Sequence, residues 1–143
     1  MSGQFTLDLE KFGKKAVNNA SKIVRKISFD IHSRIVQRMP VDTGRAKANT
    51  QISINHLPTH SVMDVDPNGN ATINAGNAVL HRFNLGDTVF IYNNLVYIIA
   101  LEYGHSRRQA PQGMFRITFE EVFSHLDKGP DVVNILDFLG FKE

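Results

Sequence analysis

The chain has 143 residues, of which 42% are hydrophobic and 21% charged, and it contains no cysteine. These values fit one globular domain that buries its own core, and they exclude disulfides, thiolate nucleophiles and cysteine-based zinc sites. No run of ~18 apolar residues is present to cross a membrane, and residues 1–15 lack the apolar stretch of a signal peptide, so the expected compartment is the cytosol or a particle assembled there. The net charge of +2 is unevenly spread: residues 1–48 hold ten Lys/Arg against four Asp/Glu, and residues 49–143 hold six against ten. Such asymmetry suits either a nucleic-acid surface or a protein that binds copies of itself, basic face to acidic face.

Residues 8–39 read as one amphipathic helix. Leu9, Phe12, Ala16, Ala20, Ile23, Ile27, Ile31 and Ile35 recur at three- and four-residue steps, which sets them on one face. Asp8 is the expected N-cap and Pro40 the stop. At 1.5 Å per residue the helix reaches ~45 Å, long for a small domain. Val41-Asp42-Thr43-Gly44 is a turn, and Asp42 or Thr43 is expected to cap a helical turn over 45–49. Residues 51–55 alternate polar and apolar, which predicts a half-buried strand. A second strand is expected within 61–70, closed by the turn Asp66-Pro67-Asn68-Gly69. Residues 72–83 read as a helix, 88–92 as a strand of β-branched and aromatic residues, and 96–103 as a helix ended by Gly104. A loop over 105–110 follows, then a helix that Pro111 opens and that runs to about Leu126. Gly129-Pro130 breaks the chain. The fold expected is α+β: a long N-terminal helix packed on a small, mostly antiparallel sheet, with further short helices. Residues 1–128 form the domain, and 129–143 form an apolar segment that folds back or docks on a partner.

The residues point away from catalysis. Asp64-Val65-Asp66-Pro67-Asn68-Gly69-Asn70 matches the opening of a calcium loop, but Ala75 occupies the position where a bidentate Glu is needed. His56 and His60 flank Pro58, which prevents the one-faced helical pair a metal requires. No nucleophile elbow or phosphate-binding glycine loop is present, so no enzyme activity, cofactor or metal is expected. Candidate contact residues are Lys14, Lys15, Arg25 and Arg45 on the basic half, Tyr103, His105, Arg107 and Arg108 around the 104–110 loop, and Val132, Ile135, Leu136 and Phe138 in the terminal segment. Arginine and tyrosine are enriched at interfaces, and the same basic residues are able to touch phosphate.

Three strings carry a resemblance: Met39-Pro40-Val41-Asp42-Thr43-Gly44-Arg45, then Gly86-Asp87-Thr88-Val89-Phe90-Ile91-Tyr92-Asn93-Asn94-Leu95-Val96-Tyr97, then Leu101-Glu102-Tyr103-Gly104-His105-Ser106 with Gln109-Ala110-Pro111-Gln112-Gly113-Met114. In this order and spacing the chain, over about residues 8–125, resembles the tail-completion or neck proteins of long-tailed phages, the lambda-like minor tail protein Z group and its relatives. The positions that match are Pro40, Asp42, Thr43, Gly44, Arg45, Asn93, Asn94, Glu102, Tyr103, Gly104, Pro111 and Gly113. The chain departs from the family at Val96, where Pro is frequent, and near Asn49, where an aromatic residue is frequent. The resemblance implies an α+β structural protein of the virion, assembled in the host cytoplasm. It implies a ring of copies matching the six-fold tail, with the tail terminator or tail tube protein and the head connector protein as neighbours, and contact with the DNA in the neck left open. It implies no membrane partner, no reaction and no cofactor. The alternative that the residues themselves allow is a small DNA-binding accessory protein that uses the basic helix with Arg107 and Arg108.

Overall fold

The computed structural model describes residues 2–104, 109–110 and 112–126, with side chains from residue 14 onward except 123, 125 and 126. The arrangement is α+β. Helix α1 spans Ser2–Arg38, ~55 Å at 1.5 Å per residue. It starts earlier than expected, so Asp8 lies inside the helix and does not cap it. Phe5 continues the spacing of Leu9 and Phe12 toward the N-terminus, and the amphipathic pattern therefore does not begin at Asp8. Pro40 sets the other end, since it has no amide to donate and clashes with a continuing helix. The carbonyls exposed there are met by a side chain: Lys47 Nζ donates to the Val36 oxygen at 2.9 Å and to the Gln37 oxygen at 3.4 Å. A cation at a helix C-terminus also meets the negative end of the helix dipole. Burial nonetheless lowers the Lys47 pKa from its ordinary value.

Burial changes along α1. Lys14, Lys15, Val17, Asn18 and Asn19 are exposed, whereas Ser28, Ile31, His32, Ile35 and Val36 are buried. The C-terminal half of α1 is thus wrapped, with α3 on one side and α5 on another.

After the turn, α2 covers Arg45–Ala48. Its N-cap is Gly44 at φ 92°, not Asp42 or Thr43. The Thr43 hydroxyl still accepts a bond from the Arg45 amide at 3.3 Å. Glycine is required at 44 for two reasons: the left-handed φ, and the Pro67 backbone, whose nitrogen would lie 2.5 Å from any added Cβ. Strand β1, Gln51–Ile54, pairs antiparallel with β2, Val89–Tyr92, with Gln51 opposite Tyr92 and Ile54 opposite Val89. Asn55, at φ 67°, extends the pairing through its amide to the Thr88 oxygen and through its side chain to the Thr88 amide.

No strand forms within 61–70. The backbone there is held by side chains instead. Buried Asn49 donates to the Val62 oxygen and accepts from the Val62 amide, at 3.0 and 2.8 Å, as a strand neighbour would. Asn94 Nδ2 donates to the oxygens of Pro58 and His60, at 2.7 and 3.1 Å. Helix α3 spans Asn70–Leu80, shifted toward the N-terminus from the predicted 72–83. It lies between α1 and β1.

Helix α4 is Ile98–Glu102 and lies inside the predicted 96–103. Gly104 does turn left-handed, at φ 88°. Helix α5 is Phe115–Leu126 and starts later than a helix opened by Pro111. Gly113, at φ 84°, turns the chain first, and the new helix takes its start from a carboxylate on α4. The core joins Ile31, Ile35 and Met39 of α1 and its C-terminal exit to Leu95, Met114 and Val122, with Ile98 and Leu101 of α4 packed on its edge.

Candidate interface at the α4 end of the molecule

The three strings that carry the resemblance lie far apart in sequence and meet in space. Gln109 bonds the Val41 backbone in both directions, accepting from its amide at 2.7 Å and donating to its carbonyl at 3.3 Å. The Asn93 amide donates to the Ala46 oxygen at 2.9 Å and to the Thr50 hydroxyl at 3.1 Å. Pro40–Ala46, Tyr97, Leu101 and Gln109 line a cleft of about 510 Å³. The cleft therefore draws on all three strings.

Glu102 fixes the relation of α4 to α5. Its carboxylate accepts the amides of Met114, Phe115 and Arg116 at 2.8, 2.9 and 2.9 Å, and the Arg116 guanidinium at 3.1 Å. It is the N-terminal cap of α5, delivered from another helix. Burial pushes the Glu102 carboxyl up, but these donated bonds outweigh it and hold the pKa below its ordinary value. Gly113 makes the approach possible, since an added Cβ there would run into the Glu102 carbonyl oxygen. Arg116 continues past the carboxylate to bond the Glu102 carbonyl at 2.8 Å, and its guanidinium lies 4.4 Å over the Tyr103 ring.

Beside this polar clamp lies an apolar surface. Val96 is 98% exposed, and Ile99 and Tyr103 are each 67% exposed. At ~100° per residue Ile99 and Tyr103, just past the end of α4, fall on one side of its turn, away from Ile98, which packs on the core; Val96 stands in the turn that leads into the helix. A helix that is apolar all round is a buried helix, and α4 is covered on one side only.

The other predicted contact residues fall into separate groups. Lys14 and Lys15 are exposed on α1. Arg25 is engaged inside the molecule, donating from Nη2 to the Phe83 oxygen at 2.6 Å, and is not an open contact residue. Arg45 is half-buried and bonds the Val62 oxygen at 3.4 Å and Met63 Sδ at 3.5 Å, so most of its reach is taken. Asp42 and Thr43 are exposed at the cleft rim. His105, Arg107, Arg108, Pro111, Val132, Ile135, Leu136 and Phe138 lie outside the described residues.

The calcium-like string has another use. Asp66 Oδ2 accepts the Thr72 amide and the Thr72 hydroxyl, both at 2.7 Å. Burial raises the Asp66 pKa, but the Thr72 bonds prevail and keep it below the ordinary value. The carboxylate is a cap for the first turn of α3. Among the described residues, no group of three or more His, Cys, Asp or Glu could hold a metal ion. His32 is fully buried, with Nε2 2.7 Å from the Thr50 carbonyl. A carbonyl only accepts, so Nε2 carries the proton and Nδ1 of the neutral ring is a lone pair with no partner. Gly76 makes room for this ring, since an added Cβ would lie 2.5 Å from its Cε1. Sequence reasoning missed both Glu102 as a cap and Gly76 as a spacer; the only available signal was Glu102 standing nine residues before a predicted helix.

No helix among the described residues is long and apolar enough to cross a membrane. Compared with protein-family models, with curated proteins and with solved structures, the chain matches none.

Proposed function

We propose that this chain is a structural protein of a tailed-phage virion, without catalytic activity or cofactor. It completes the head-proximal end of the tail and joins it to the head connector as a homo-oligomeric ring, six-fold like the tail. The observation that supports this reading is the convergence of the three resembling strings on one end of the molecule. There they border a cleft and stand beside exposed Val96, Ile99 and Tyr103. Exposed apolar residues of this kind beside a cleft suit a surface that a partner covers.

The test is assembly. Particles made without the protein should accumulate filled heads and loose tails. A truncation after Leu126, and separately Arg107→Glu with Arg108→Glu, should each give folded protein and the same defect. Heads and tails that join normally in its absence would overturn the assignment.

One observation favours DNA binding as a second reading. Lys14, Lys15, Lys22 and Lys26 are exposed on α1, and at ~100° per residue they fall within about a third of its circumference. A stripe of this kind tracks a phosphate backbone. Binding to duplex DNA that drops steeply between 50 and 200 mM salt would favour it, by about tenfold or more for several phosphate contacts.

A further inference from the structure

Asn68-Gly69 is the one Asn-Gly pair in the chain. Such a pair is chemically labile where it is free to move, because a glycine nitrogen with no side chain beside it can attack the carboxamide carbon of the preceding Asn. The fold keeps this glycine for its own reasons. Gly69 is the N-cap of α3 at φ 80°, and an added Cβ would lie 2.6 Å from Val36 Cγ1. Asn68 is exposed to water.

The same turn holds the reactive atoms apart. The Gly69 amide donates to the Asp66 oxygen at 3.1 Å, closing a β-turn over 66–69 with Pro67 in its second position. Among the described non-glycine residues only Asn55 has a positive φ, so the turn is of type I, which sets Asn68 near ψ ~0°. Attack requires the Gly69 nitrogen to eclipse the Asn68 Cβ about the Cα–C bond, a rotation far from that value. The carboxamide is tied down as well, its Oδ1 accepting the Asn70 amide at 2.9 Å. Asp66 secures the turn at its other end. Its amide donates to the Gly44 oxygen at 3.0 Å, and its buried carboxylate takes the Thr72 amide and hydroxyl, both at 2.7 Å.

We propose that Asn68 is a self-modifying site, shielded while the Asp66–Thr72 cap is closed and converted to aspartate and isoaspartate when the first turn of α3 opens. The inference is independent of the role in assembly. In the open turn the Gly69 nitrogen gives its proton to a solvent base and bonds to Asn68 Cγ. The Cγ–Nδ2 bond breaks, and Nδ2 leaves as ammonia with a proton taken from water. The cyclic imide so formed adds one water. Cleavage at Cγ leaves aspartate, and cleavage at the main-chain carbonyl leaves isoaspartate, with the chain running through Cβ. The net change is carboxamide plus water to carboxylate plus ammonium, with no oxidant or reductant. Isoaspartate lengthens the main chain by one carbon just before Gly69, so the Gly69 bond to Asp66 and its close fit on Val36 fall out of register.

The full-length protein is incubated at mildly alkaline pH and digested, and the products at Asn68 are quantified by mass spectrometry, with isoaspartate resolved by chromatography. The folded wild type should convert roughly tenfold or more slowly than the same chain in guanidinium chloride. Thr72→Val removes the hydroxyl and keeps the amide bond to Asp66. It should raise the folded rate roughly three- to tenfold and leave the rate in guanidinium chloride unchanged. Equal rates for the folded and unfolded wild type overturn the shielding. An unchanged folded rate in Thr72→Val, shown to be folded by circular dichroism, overturns the role of the cap. Absence of conversion at Asn68 in guanidinium chloride overturns the site itself. If Thr72→Val fails to fold, amide exchange of the wild type decides. The Gly69 and Thr72 amides should exchange well before that of Ile35, which is fully buried. Exchange of all three together would mean that no local opening exposes the site, and would overturn the proposal.

Discussion

Glu102 closes three backbone donors with one carboxylate, and each would otherwise be an unmet N–H at the start of α5. Glu102→Ala should therefore cost about 1–3 kcal/mol at pH 7 in urea melts. The folded-state pKa of Glu102 lies below its ordinary value, so its stabilisation is present above the unfolded value of ~4.3. It is lost as pH falls through the folded value, and the gap between wild type and Glu102→Ala should close over that range. His32 acts over a higher window. Burial lowers its pKa, only partly offset by the bond to the Thr50 carbonyl. The unfolded chain takes up a proton near ~6.5 and the buried ring resists, so stability falls as pH drops below that value. His32→Gln, which keeps a donor for Thr50, should lose less stability between pH 7 and 5 than the wild type. Gly76→Ala should destabilise by about 1–3 kcal/mol in the same melts, because its methyl and the imidazole require the same space. None of these three roles was legible in the sequence. Each is a contact between residues distant in the chain, and local signals such as Asp before a helix describe only neighbours.

Periodicity and chain breakers made most elements legible. The spacing of Ile27, Ile31 and Ile35 with Pro40 after them specified α1 and its end, and the alternation at 51–55 specified β1. What failed was pairing. Residues 61–66 have strand-like composition but find side-chain amides where a strand needs a ladder. The start of α5 moved for a similar reason, since its cap comes from α4 and not from Pro111. The same helix periodicity separates the two faces of α1 energetically. Ile35 is fully buried, and Ile35→Ala should cost about 2–5 kcal/mol, through lost transfer energy and a residual cavity. Lys22→Asp, on the exposed side, should stay within about 0.5 kcal/mol. Equal denaturation midpoints for the two would show that the faces are assigned wrongly.

The charge asymmetry of the two halves hinted at a molecule with unlike ends, but only the antiparallel course of α5 along α1 shows where those ends lie. The candidate surface was legible in part. Tyr103 was singled out, whereas Val96 and Ile99 were read only as helix, because apolar residues in a short segment do not announce which side is left bare. α1 itself belongs to the body over only part of its length. Lys14, Lys15, Val17, Asn18 and Asn19 are exposed while Ile31, His32, Ile35 and Val36 are buried, so two regions of one continuous helix depend on different sources of stability. The exposed turns gain little from burial and lean on backbone propensity, and an isolated helical stretch that short is marginal in water. The enclosed turns open only with the core. Amide hydrogen exchange should therefore form a gradient along α1, with protons of the 14–19 turns lost early through local fraying and those of 31–36 retained until global unfolding. Assembly that seats the outer turns against a neighbour would flatten that gradient, so exchange at 14–19 would report the particle-bound state without any label.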